Sequence, residues 1–75
     1  MLKTIKVKDL IEVLQGYNQE SEVFLSSDEE GNGYSTIDKD MSFEQMENGR
    51  VLLIYPYAEG IDYDELEDNY NQRSE

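Results

Sequence analysis

Val51-Leu52-Leu53-Ile54-Tyr55, followed by Pro56 and Tyr57, is the longest apolar run in the chain, and its reading decides the fold. A near-continuous run of branched and aromatic residues this short suits a central strand covered on both faces better than a helix. Asn48-Gly49 marks a turn leading into it. Residues 50–57 are therefore expected to supply the central strand and the best core candidate.

Toward the amino terminus, Val7, Leu10, Ile11 and Leu14 recur at i, i+3, i+4 and i+7, which puts them on one helical face. Lys6, Lys8, Asp9, Glu12 and Gln15 fall elsewhere on the wheel. Gly16, before Tyr17 and Asn18, supplies a stop because glycine takes the left-handed conformation without steric penalty. The spacing predicts a helix over residues 7–15. Between it and the apolar run, Glu22-Val23-Phe24-Leu25-Ser26 and Tyr34-Ser35-Thr36-Ile37 are β-prone on either side of a glycine-containing turn, the pattern of a hairpin. Residues 40–49 carry Met41, Phe43 and Met46 among acids and amides, and read as a loop with one helical turn.

Beyond the run the composition changes. Asp62-Tyr63-Asp64-Glu65 has the form of a capping box, with Asp62 as cap and Glu65 at the third helical position. Tyr63, Leu66 and Tyr70 follow at i, i+3 and i+7, which predicts a short helix over residues 63–70, marginal in water without packing. The expected organisation is a single α+β domain over residues 1–57 and an acidic tail or short helix over residues 58–75. In the domain, the amphipathic helix packs on a small three-stranded, mainly antiparallel sheet.

The chain has 75 residues, 37% of them hydrophobic, and a domain of this size buries only about 60% of the surface its unfolded chain exposes. With no cysteine, disulfides and thiolate metal sites are unavailable, which favours an intracellular setting. No apolar stretch approaches the roughly 18 residues of a membrane span, and Met1-Leu2-Lys3-Thr4-Ile5-Lys6 lacks the apolar core of a secretory signal.

The acids outnumber the bases 18 to 6, and with no histidine the formal net charge is −12. Such a field repels nucleic acid, whose binding depends on Lys and Arg displacing counterions. The charge is also polarised. Lys3, Lys6 and Lys8 stand at the amino terminus, whereas residues 9–38 and 59–72 contain no base. A binding surface is expected on the turn side or the tail.

Asp28-Glu29-Glu30-Gly31-Asn32-Gly33-Tyr34 is the sharpest local pattern. Asp28, Glu30, Asn32 and Gly33 fit positions one, three, five and six of a calcium-binding EF-hand loop. Lys39 stands where the bidentate glutamate belongs, Ser35 replaces the usual aliphatic residue, and the entering segment looks like a strand. The favoured reading is a polar hairpin turn in which Gly31 and Gly33 supply positive φ angles and Asn32 tolerates them. A weak divalent-cation site built on Asp28 and Glu30 is the alternative, and no metal or cofactor is assigned.

The second feature is the cluster Glu59, Asp62, Asp64, Glu65, Glu67 and Asp68, with Arg73 the only base nearby. On a helix, Asp64 and Asp68 at i, i+4, and Asp62 and Glu65 at i, i+3, space their side-chain bases about 5–6 Å apart, not far from neighbouring phosphates on a nucleic-acid strand. Blocks of like charge are commonly solvated tails, but Tyr57, Tyr63 and Tyr70 add contact area with a polar handle. Tyr17, Tyr34 and Tyr55 are explained as half-buried residues with wet hydroxyls. Catalysis has little support. Without histidine or cysteine, a nucleophile would need Ser26, Ser27 or Ser42 paired with a carboxylate or lysine, and no spacing proposes that pairing.

Val7-Lys8-Asp9-Leu10-Ile11-Glu12, the segment from Glu22 through Ser26-Ser27-Asp28-Glu29-Glu30-Gly31-Asn32 to Ser35, and the closing Val51-Leu52-Leu53-Ile54-Tyr55-Pro56 together resemble small acidic bacteriophage-encoded proteins of unknown function. The resemblance covers residues 4–57 and carries no catalytic or ligand residues with it. It implies a location, the cytoplasm of an infected bacterium, and by analogy a purpose, binding and inhibiting a host protein. The expected function is that of an accessory protein whose acidic surface engages a basic site on a host protein, with DNA mimicry as one form. The expected contact residues are Asp28, Glu29, Glu30, Tyr34, Tyr57, Asp62, Tyr63, Asp64, Glu65 and Asp68. The rivals are the cation-binding module and a self-associating, homodimeric structural protein.

Overall fold

The computed structural model describes residues 2–71. Arg73, and with it the end of the 58–75 segment, lies outside the described residues. The chain is α+β, in the order α1 (Val7–Gln15), β1 (Phe24–Ser26), β2 (Tyr34–Thr36), β3 (Phe43–Gln45), β4 (Leu52–Ile54) and α2 (Tyr63–Asn71).

α1 has the expected bounds. Lys6 is extended and serves as N-cap; its backbone N–H donates to the Asp9 carboxylate at 3.0 Å, and its carbonyl accepts from the backbone N–H groups of Asp9 and Leu10. A carboxylate in the first turn also complements the helix dipole. The stop differs from expectation in its device. Gly16 is right-handed, with φ −82°, so its left-handed freedom is not used. The last carbonyls are satisfied from beyond the helix: Val13 O accepts the Gly16 N–H, and Leu14 O accepts the Tyr17 N–H and a Gln19 side-chain N–H at 3.0 Å.

The strands form two separate two-stranded antiparallel ladders, β1–β2 and β3–β4, not the expected three-stranded sheet. β1–β2 is the predicted hairpin, with Leu25 opposite Ser35. The expected loop at residues 40–49 instead contains β3, with Glu44 opposite Leu53. Gly49 at φ 71° completes the turn between β3 and β4; its N–H donates to Met46 O, and Asn48 Oδ1 accepts the Arg50 N–H at 2.8 Å. This closure explains why β4 is not central. Joining the apolar run to the segment just before it costs less loop entropy than reaching the first hairpin. Val51 and Ile54 consequently remain exposed.

β2 gains its other neighbour from an unexpected place. Tyr57 N–H donates to Thr36 O, Thr36 N–H to Ala58 O, and Tyr34 and Ile61 exchange both backbone hydrogen bonds, at 2.7 and 3.1 Å. The Thr36 hydroxyl accepts the Ala58 N–H at 3.1 Å. The expected boundary between residues 57 and 58 therefore falls within a backbone pairing.

α1 is not seated on a sheet. Its apolar face stands across an open groove of about 780 Å³ from β4, and Ile11 is 52% exposed. Among the described residues no apolar side chain is buried; the buried ones are Ser35 and Ser42. The accessible surface is 6912 Å², where a compact 8.8 kDa chain would show about 4,800 Å². The radius of gyration is 14.6 Å, against about 11 Å for a compact chain of this length.

Candidate functional site

α2 begins where the sequence places it. Asp62 Oδ1 accepts the Glu65 backbone N–H at 3.0 Å, and Asp62 O accepts from Leu66 N–H. At about 100° per residue, Tyr63, Leu66, Glu67 and Tyr70 share one side of the helix, and Asp64, Glu65 and Asp68 share the opposite side.

The first side faces β1. Tyr70 meets Phe24 edge-on, with ring centroids 6.1 Å apart and planes at 74°, the favoured geometry for such a pair. The Tyr70 hydroxyl donates to Glu22 Oε1, and this bond to a carboxylate raises the phenol's pKa above its ordinary value. Tyr63 lies against Tyr34, with centroids 6.4 Å apart. Between helix and strand runs an open groove of about 500 Å³, with Phe24, Leu66 and Tyr70 on its walls and Glu20, Glu22 and Glu67 at its rim.

The turn at residues 28–33 lies at the end of the same hairpin. Asp28 Oδ1 accepts the backbone N–H groups of Glu30 and Asn32, each at 3.1 Å, and Oδ2 accepts the Asn32 side-chain amide at 2.8 Å. The Asn32 bonds, backbone first, hold the Asp28 carboxyl below the usual carboxylate range. The positive φ comes from Gly31, at 73°, whereas Gly33 does not use that region. The Tyr34 hydroxyl lies over Gly31, 2.7 Å from where a Cβ would stand.

The structure brings some expected contact residues together and separates others. Tyr34 and Tyr63 are neighbours. Asp64, Glu65 and Asp68 are exposed along the outer side of α2, and Glu29 and Glu30 are exposed on the turn. Asp62 and Asp28 are used locally, one as a cap and one inside its turn, so the expected i, i+3 row from Asp62 to Glu65 is a capping contact. Tyr57 holds its backbone against β2 and leaves its ring 60% exposed.

Glu22, Phe24, Leu66 and Tyr70 form a wall that the expected contact set omits. The spacing of Tyr63, Leu66 and Tyr70 carried the helix half of that wall; no local signal in Glu22 or Phe24 carried the other half. Among the described residues no group of three or more acidic side chains is placed to hold a metal ion. Ser26 Oγ donates to Asp28 O at 2.6 Å, and Ser42, at 1% exposure, accepts the Asp38 N–H on its Oγ. Among the described residues no helix is long and apolar enough to cross a membrane. Comparison with protein-family models, with curated proteins and with solved structures finds no match.

Proposed function

We propose that this chain is a binding protein that offers the acidic outer side of α2, together with the turn at residues 28–33, to a basic site on another protein. The observation that carries the reading is the division of α2 into two sides. Its apolar and aromatic side chains turn toward β1, while Asp64 and Glu65 are exposed on the other side. Fixing carboxylates on a helix anchored at its first turn keeps them in a defined row, which favours electrostatic steering toward a complementary site. The resemblance to small bacteriophage proteins adds the class of partner, a host protein, with DNA mimicry as one form of the contact.

Truncation after Pro56 would remove residues hydrogen-bonded to β2, so the informative variant is the full chain carrying Asp64→Asn and Glu65→Gln. Affinity capture from bacterial lysate, followed by titration of the captured protein in increasing salt, tests the reading. Binding should weaken by about tenfold in the variant and should fall as salt shortens the Debye length from about 10 Å at 0.1 M to about 3 Å at 1 M. A partner held equally by both forms and at all salt concentrations refutes it.

A further inference from the structure

The groove between α1 and β4 has a composition unlike the rest of the chain. Ile5, Leu10, Leu52 and Ile54 form its apolar floor, Lys6 and Arg50 stand at its rim, and no carboxylate lines it. Acids outnumber bases threefold in the sequence, yet here the only charged side chains are basic. Ile5 is 66% exposed, so the floor is open to a ligand.

We propose that this groove receives α2 of a second copy of the chain. The complement is in the sequence itself. Tyr63, Glu67 and Asp64 follow one another within about 100° on α2, so one edge of the helix presents an aromatic ring that touches Tyr34 on its inner side, remains 56% exposed, and has two carboxylates along its outer side. Seated in the groove, that edge puts the ring over the apolar floor and the carboxylates against Lys6 and Arg50. The other pairings are poorer. Groove against groove opposes Lys6 and Arg50 to their own copies, and α2 against α2 opposes carboxylates, both costly at close range. Reciprocal seating gives a closed two-fold dimer. The two copies repel through their net charges at long range, so the dimer forms best where salt screens that repulsion while leaving contact pairs intact. The proposal shares α2 with the function proposed above, because a helix so seated is withheld from another partner. It needs no second protein to test.

Sedimentation of purified full-length chain at about 0.15 M salt, a Debye length of about 8 Å, measures the dimer directly. Two variants are compared with it, Lys6→Glu with Arg50→Glu, and Asp64→Lys with Glu67→Lys. Each variant alone should dimerise at least tenfold more weakly, by about the effect of placing like charges face to face. An equimolar mixture should recover the wild-type constant, since each groove then meets a helix of opposite charge. The second variant carries a net charge of −8 in place of −12, so a dimer governed by overall repulsion would tighten where this one loosens. Helical circular dichroism of each variant, and its rescue on mixing, separate loss of binding from loss of folding. A monomeric wild-type chain at high concentration overturns the proposal and leaves the host-protein reading to its own titration. Dimerisation unchanged by Asp64→Lys with Glu67→Lys also overturns it, and would put α1 of the second copy in the groove instead.

Discussion

Replacing Asp62 tests whether the acidic face depends on one hydrogen bond. Its carboxylate takes the Glu65 N–H at 3.0 Å at the start of a nine-residue helix, and losing such a cap costs about 1 kcal/mol. Other support for α2 comes from three contacts with the first hairpin: the Tyr70 hydroxyl on Glu22, Tyr63 against Tyr34, and Tyr70 against Phe24. The edge-on contact of Tyr70 with Phe24 contributes roughly 0.5–1.5 kcal/mol, and a helix this short is marginal alone. Removing about 1 kcal/mol lowers the local folding equilibrium about fivefold at 25 °C, enough to populate an unwound α2 measurably.

Circular dichroism at 222 nm reads this change well, because α2 supplies nine of the eighteen residues in the two α-helices. Asp62→Ala should lose up to half of the helical signal on mild warming, whereas Asp62→Asn, which caps as well as aspartate, should keep it. The pair separates the cap from the charge. Equal signals from the two variants, or an Asp62→Ala chain as helical as wild type throughout, would refute the reasoning and move the support of α2 to its contacts with β1.

Ser42→Ala leaves the half-buried Asp38 N–H without its acceptor at 2.8 Å and should cost about 1–3 kcal/mol in urea unfolding, while Ser26→Ala, at the exposed end of β1, should cost well under about 1 kcal/mol; similar losses would show that Ser42 is not a clamp. Gly31→Ala and Gly49→Ala both force alanine to a positive φ at a cost of about 1–2 kcal/mol. The loss should be larger at Gly31, where the new Cβ would stand 2.7 Å from the Tyr34 hydroxyl, than at Gly49, where it meets open space; thermal unfolding ranks the two. Asp28 has a folded-state pKa below its unfolded value, so its contribution to stability is present above the ordinary carboxylate range and is lost as pH falls through the lowered value. An NMR titration of its side-chain carbon should show that lowered midpoint, and Asp28→Asn should abolish the corresponding acid-limb loss in pH-dependent unfolding.

The elements built on local rules were legible in the sequence. The 3.6-residue spacing of Val7, Leu10, Ile11 and Leu14 gave α1 its bounds, the Asp62 capping pattern located α2, and Asn48-Gly49 marked the second turn. What was not legible was the pairing between elements. Val51-Leu52-Leu53-Ile54-Tyr55 has the composition of a covered strand, but composition does not say which strand comes beside it, and the short turn chose β3. Phe43-Glu44-Gln45 alternates too briefly to announce a strand and exists because Leu52–Ile54 pairs with it. Ser42 gave no signal either: a serine between methionine and phenylalanine reads as a loop residue until the Asp38 and Tyr55 backbones close on it.

The polarised charge and the missing apolar core have a common origin. The apolar faces of α1 and β4 meet no distant element as that of α2 meets β1, so backbone ladders and side-chain caps hold these elements while Ile11, Leu14, Val51 and Ile54 stay in contact with solvent. Fully burying one such side chain is worth about 1.5–3 kcal/mol, more than a typical turn hydrogen bond at about 0.5–1.5 kcal/mol. Whatever covers the α1 and β4 faces therefore contributes more to the fold than any single contact within the chain, and by linkage the folded state must become more stable as that ligand is added. Binding and folding are in this sense one equilibrium. In the proposed dimer the acidic α2 edge and the basic groove rim set which surfaces meet, and the uncovered apolar residues supply most of the free energy.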